Sequence, residues 1–141
     1  MKHRFLIIDN KTEDANLSIR CLNDAGLAAG QSVSDIETIP VIKPNSTDML
    51  LIVKKILKDQ WFVGTILDLL YNNNETDGGI RLWNGLTVQE KANAGKLVVV
   101  TKGDAEAIPG FNTFVKDHAT GLCQSSKRAD RIAIFKEIFF T

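Results

Sequence analysis

Residues 60–71, Gln-Trp-Phe-Val-Gly-Thr-Ile-Leu-Asp-Leu-Leu-Tyr, constrain this chain more than any other stretch. The run is apolar and closed on both sides, by Lys58-Asp59 before it and by Asn72-Asn73-Asn74 after it. So short an apolar segment suits a strand covered on both faces, as the strands of parallel sheets are. It carries one carboxylate, Asp68, toward its end. In open α/β sheets ligands bind beyond the carboxyl ends of the strands, so Asp68 is expected where chemistry is done.

The rest of the chain repeats a strand-then-helix pattern. Phe5-Leu6-Ile7-Ile8 reads as a first strand ending at Asp9-Asn10. Thr12-Glu13-Asp14 then opens a helix, with a capping hydroxyl and acids in its first turn. Ala15, Ile19 and Leu22 share one face of it, and Gly26 can end it. Val33 to Ile39 alternates apolar and polar residues as a half-exposed edge strand does, and Val41-Ile42, beyond Pro40, either extends it with a bend or lies in a loop. A second helix starts at Asn45, Ser46 or Thr47, with Leu50, Val53 and Leu57 buried and Lys54, Lys55 and Lys58 in solvent.

After the polar loop 72–79, the spacing of Ile80, Trp83 and Leu86 predicts a third helix, weakened by Gly85. Residues 96–101, Lys-Leu-Val-Val-Val-Thr, are the clearest β-branched run and a fourth strand ending in the hydroxyl of Thr101. Lys102-Gly103-Asp104 turns the chain, residues 105–108 leave room for a turn or two of helix, and Thr113-Phe114-Val115 is expected as a fifth strand ending at Lys116. Residues 129–140 close the chain as a helix with Ile132, Phe135 and Phe139 on one face.

Composition narrows the function classes. With 141 residues, 44% of them hydrophobic, a single domain over 1–141 with a real core is expected. Seventeen basic and seventeen acidic residues cancel, so the balance points to neither nucleic acid nor a membrane surface. Cys21 and Cys123 are too few for a disulfide framework and lack metal-ligand spacing, and Cys21 fits a helix face in a reducing compartment. No stretch is apolar enough to span a bilayer, and Met1-Lys2-His3-Arg4 leads straight into a strand. A soluble, cytoplasmic protein is expected.

Five βα units favour a right-handed, doubly wound parallel α/β sheet. On it the ends of strands one, three, four and five would carry Asp9-Asn10, Asp68, Thr101 and Lys116. That set suits Mg²⁺-assisted phosphoryl transfer to a carboxylate. A hard cation takes oxygen ligands, the carboxylate is the nucleophile, and the hydroxyl and ammonium stabilise the transferred group.

The chain resembles the receiver domain of two-component response regulators. The resemblance runs over residues 5–140 and rests on Phe5-Leu6-Ile7-Ile8-Asp9, Ile66-Leu67-Asp68-Leu69, Asp77-Gly78-Gly79-Ile80-Arg81-Leu82, Val98-Val99-Val100-Thr101 and Phe114-Val115-Lys116. It implies the flavodoxin-like receiver (βα)5 fold with strand order 2-1-3-4-5. Asp68 would accept phosphate from a histidine kinase or a histidine phosphotransfer protein, with an effector protein or output domain downstream. Asp9, Asn10, Asp68 and the carbonyl of Leu70 would hold Mg²⁺, while Thr101 and Lys116 would engage the phosphoryl group. No nucleic acid or membrane partner is expected.

The chain departs from the family pattern where Asn10 replaces an acid and where Lys102 follows the hydroxyl. It also departs at Thr113, three residues before Lys116, and at Asp117 just after it. A working but atypical phosphoacceptor is the leading expectation, as a single-domain regulator or part of a longer protein. A pseudo-receiver that docks partners without phosphate is the alternative. A phosphohydrolase using Asp68 ranks third, because residue 70 is Leu and the Asp-x-Asp spacing of such enzymes is missing. The short fourth helix, fifth strand and last helix are the expected partner surface, with Phe139 and Phe140 exposed there.

Overall fold

The structure is a computed structural model that describes residues 2–69, 77–101, 108–124 and 127–141. The elements in chain order are β1 (His3–Asp9), α1 (Thr12–Ala28), β2 (Ile36–Ile42), α2 (Ser46–Asp59), β3 (Gly64–Asp68), α3 (Gly78–Asn84), α4 (Val88–Asn93), β4 (Lys96–Val100), α5 (Phe111–His118), β5 (Gly121–Cys123) and α6 (Arg128–Phe139). All strand pairs are parallel, and the five strands run in the order β2-β1-β3-β4-β5. This is the expected doubly wound α/β sheet.

Period-two alternation divides the core into two layers. Leu6, Ile8, Leu67, Leu97 and Val99 face α2, α3 and α4, where Met49, Val53, Leu57, Leu82 and Trp83 cover them. Phe5, Ile7, Ile66, Val98, Val100 and Cys123 face α1 and α6, against Cys21, Leu22, Phe135 and Phe139. Phe5 and Phe135 are fully buried, and each such ring contributes roughly 1.5–3 kcal/mol by leaving water.

Several expectations shift. The central strand is shorter than residues 60–71: Gln60 closes α2, Trp61 is 75% exposed, and pairing with β1 begins at Gly64. Tyr71 lies outside the described residues, as do Lys102, Gly103, Asp104 and the expected helical turn 105–107. The edge strand begins at Ile36, after a 3-10 turn over Val33–Asp35, and continues through Pro40 to Ile42. An edge strand tolerates Pro40 because its missing N–H faces no further strand. Asn45 is the cap of α2, its side chain accepting the Asp48 N–H at 2.9 Å.

The largest correction concerns the fifth strand. Thr113, Phe114, Val115 and Lys116 lie inside α5, and β5 is Gly121–Cys123. Phe111, Phe114, Val115 and His118 recur at helical spacing, and burial of Phe111 and Phe114 outweighs the β propensity of Thr-Phe-Val. Thr113 and Asp117 therefore lose the strand-end places first given to them. Phe139 and Phe140 are not an exposed patch either. Phe139 is buried edge-on against Phe5 at 5.0 Å, and Phe140 lies 5.7 Å from the same ring.

Helix α4 was not expected from the sequence, although its start carries a clear signal. The Thr87 hydroxyl accepts the Glu90 N–H at 3.1 Å, and the Glu90 carboxylate accepts the Thr87 N–H at 2.8 Å. Lys54 of α2 also donates to Glu90, at 2.7 Å, and with the cap it holds the Glu90 pKa below its ordinary value. A depressed carboxylate contributes stability above its unfolded pKa and loses it as pH falls through the lower folded value. Thr87→Ala is expected to cost about 1 kcal/mol in urea unfolding at pH 7. Glu90→Gln should flatten the acid limb of the stability profile, and an unchanged limb would count against this linkage.

Candidate functional site

Register brings the carboxylates together. Ile8 pairs with Leu67, so the next step along both strands sets Asp9 beside Asp68. Asp9 also pairs with Ile42, Asp68 with Val100, and Val100 with Cys123. These five residues form one row across the C-terminal edge of the sheet. By alternation with Ile7 and Ile66, Asp9 and Asp68 belong to the face that α1 and α6 cover. Adjacent strands stand about 4.8 Å apart, close enough for both carboxylates to share one cation.

Asp9 is 5% exposed, and its Oδ1 accepts the Lys11 N–H at 3.0 Å. Burial pushes its pKa up to about 6; the Lys11 N–H opposes this, the Asp14 carboxylate adds to it, and the Asn10 N–H and Arg131 oppose it. Asn10 follows directly and is half-buried, as is Asp68. Leu70 lies outside the described residues.

Thr101 continues β4 past Val100. Its N–H donates to the Cys123 carbonyl at 2.9 Å, which ties β4 to β5 at this edge. The side chain is 1% exposed, and its Oγ1 has no hydrogen-bond partner among the described residues. A buried hydroxyl left unpaired costs about 1–3 kcal/mol, so this group works against the resting fold.

The start of α3 packs closely on the same edge. Gly79 donates its N–H to the Leu69 carbonyl at 3.2 Å, and a Cβ at Gly79 would lie 2.7 Å from Leu69 Cα and clash with the Asp68 carbonyl. Only glycine allows this approach, which gives Gly79 a steric role beside Asp68.

Lys116 is not brought to the site. It is exposed on α5, and that helix returns the chain to the opposite edge, where the Thr120 N–H donates to the Leu97 carbonyl at 2.7 Å. The residue that follows β5 is Gln124, which is exposed. A buried cation does stand on this side of the sheet, Arg131 of α6, which the sequence reading did not single out. Its signal was its spacing, four residues before Phe135 and eight before Phe139, on the buried stripe of that helix.

The donor set at this edge is two carboxylates and an amide carbonyl, all hard oxygen, and it fits Mg²⁺. Among the described residues no group of three or more His, Cys, Asp or Glu gathers as a metal site, so any cation here rests on few acids. No described helix is long and apolar enough to cross a membrane.

No protein-family model matches the chain, and no curated protein matches its sequence. Solved structures do match its fold. A sensor protein from a Polaromonas species aligns with a TM-score of 0.67 at 15% identity, over 99% of this chain and 97% of that one. The receiver domain of a Pseudomonas aeruginosa sensor histidine kinase, solved with a magnesium ion in its active site cleft, aligns at 0.61 and 10% identity over the full length of both. The response regulator domain of Thermotoga maritima CheB aligns at 0.60 and 12% identity, over 94% of this chain and 90% of that one. The chain has the receiver fold, at identities low enough that the likeness carries the fold alone.

Thr101→Val removes the unpaired hydroxyl at nearly constant shape. It is expected to raise the unfolding free energy by about 1 kcal/mol in urea titration. A loss of stability would show instead that the hydroxyl is satisfied in solution.

Proposed function

We propose that this chain is a phosphoacceptor receiver of a two-component system, taking a phosphoryl group from a histidine kinase or histidine phosphotransfer protein onto Asp68. The observation that carries the reading is the β1–β3 register, whose last pair, Ile8 with Leu67, sets Asp9 beside Asp68 at the C-terminal edge, near the Thr101 hydroxyl, which has no hydrogen-bond partner among the described residues. A buried polar group without a partner is explained if the partner arrives with the phosphoryl group.

A carboxylate oxygen of Asp68 attacks phosphorus as the phosphorus–nitrogen bond of the donor breaks. The electron pair goes to the leaving imidazole, which then takes a proton from water. Hydrolysis of the acyl phosphate returns the carboxylate and releases inorganic phosphate. The Thr101 hydroxyl donates to an equatorial phosphoryl oxygen. Asp9, Asn10 and Asp68 are the described residues that would hold Mg²⁺, with the Leu70 carbonyl as the further ligand the resemblance implies. The ion supplies neutralisation of charge between the anionic donor and the anionic acceptor. Asn10 brings no charge, so weak Mg²⁺ binding goes with this reading, and Asn10→Asp tightens it. A cytoplasmic place and an effector protein or output domain as downstream partner belong to the same reading.

The alternative, a pseudo-receiver that docks partners without phosphate, draws on one observation: Gln124, not a lysine, follows β5. Intact mass after treatment with acetyl phosphate and Mg²⁺ separates the two. The wild type should gain one phosphoryl group, and Asp68→Asn should gain none. Asp9→Asn should label more slowly, on the order of tenfold or more. A wild type that never labels would favour the pseudo-receiver, and a labelled Asp68→Asn would remove Asp68 as acceptor.

A further inference from the structure

The largest fully buried side chain among the described residues is a charged one. Arg131, on the first turns of α6, is 1% exposed. Its Nη1 donates to the Ser18 hydroxyl of α1 at 2.9 Å, and its Nε has no hydrogen-bond partner among the described residues. Ser18 is neutral and itself buried. Arg131 takes part in none of the ion pairs Arg4–Glu37, Lys54–Glu90 and Arg128–Asp24. Burying a guanidinium with no carboxylate hydrogen-bonded to it among the described residues is costly. A neutral tie between two helices would be made at less cost by an uncharged side chain.

The position of Arg131 indicates what its charge serves. Helix α6 begins just beyond the C-terminal end of β5, so its first turns lie at the sheet edge that carries Asp9, Asp68 and Thr101. The charge of Arg131 is felt at Asp9 of β1, at Cys21 of α1 and at Cys123 of β5. Cys123 stands in the same row as Val100 and Asp68, on the same face of the sheet. The Ser18 bond occupies Nη1 and leaves the Nε edge open, and that edge is one from which guanidinium meets an oxyanion with two prongs. No lysine stands directly after β5 to provide a charge from the strand itself.

We propose that Arg131 is the cation that compensates the phosphoryl group on Asp68, reaching it from α6 rather than from the end of β5. The inference rests on the phosphoacceptor reading above and adds the residue that reading lacks. Ser18 is the positioning residue, holding Nη1 so that the Nε edge is presented. In the resting protein the Nε edge of the guanidinium has no hydrogen-bonded anion among the described residues, although its charge is felt by Asp9; on phosphorylation it gains one, which draws α6 toward the site and gives the last helix a part in signalling.

The test uses the whole chain with Mg²⁺. In the wild type, the Arg131 Nε–H resonance, assigned by its loss in Arg131→Lys, should shift when beryllofluoride is added, and it should not shift in Asp68→Asn. With acetyl phosphate, Arg131→Met should label roughly tenfold or more slowly than wild type. Arg131→Lys should recover part of the rate, which a purely structural arginine would not predict. Lys116→Ala should label like wild type. If the wild type labels, Arg131→Met labels at the same rate and the Nε–H does not move, Arg131 only ties α1 to α6 and the inference falls alone. If the wild type takes no label and beryllofluoride moves no resonance, the phosphoacceptor reading falls, and this inference with it.

Discussion

The parallel pairing of β1 with β3 sets the terms for everything at the C-terminal edge. Both strands are covered on both faces, so a slip of one residue would turn Phe5, Ile7 and Ile66 out of one layer and into the other. The fit of side chains within each layer, Phe139 against Phe5 and Gly64 among them, therefore holds the register, and the register sets Asp9 beside Asp68. Two carboxylates are brought within reach of one cation by apolar packing several residues away. The desolvation of Asp9 follows from the same packing, as does the burial of Thr101 at the adjoining strand end.

That edge is stabilised by its surroundings rather than by its own polar groups. Thr101 Oγ1 and Arg131 Nε are both buried and without hydrogen-bond partners among the described residues, and each costs folding free energy. The core offsets them: Phe5, Phe135 and Phe139 pack edge-on and tilted between the sheet and α6, and Gly64 leaves room for the Phe139 ring. At Gly121 a Cβ would come within 3.0 Å of Ile138, so α6 also sits close on β5. Thr101 Oγ1 and Arg131 Nε are two of the three buried side-chain polar atoms without partners among the described residues, the third being Trp83 Nε1 of α3, and such groups are where function is expected to be concentrated.

Much of the sheet was legible in the sequence because each of its buried strands has a plain signature. Leu-Val-Val-Val before Thr101 and Phe-Leu-Ile-Ile before Asp9 leave little room for another reading. The fifth strand was not legible, because β5 is three residues long and begins with glycine. Thr-Phe-Val, the better strand by composition, belongs to α5, where the spacing of Phe111 and Phe114 decides the matter. Lys116 was misplaced by the same error. Helix α4 was missed although Thr87 and Glu90 stand at capping-box spacing. Arg131 was passed over because an arginine in an amphipathic helix is normally a solvated one, and only its four-residue step to Phe135 shows otherwise.

Asp68, and not its neighbour Asp9, is the proposed phosphoryl acceptor. Borohydride reduces an aspartyl phosphate to homoserine and leaves free carboxylates intact, so peptide mapping after treatment with phosphodonor and Mg²⁺ identifies the acceptor residue itself. The pairing of β1 with β3 predicts homoserine at position 68, with Asp9 unchanged beside it. Homoserine at position 9, or at any acid away from this edge, would contradict the account.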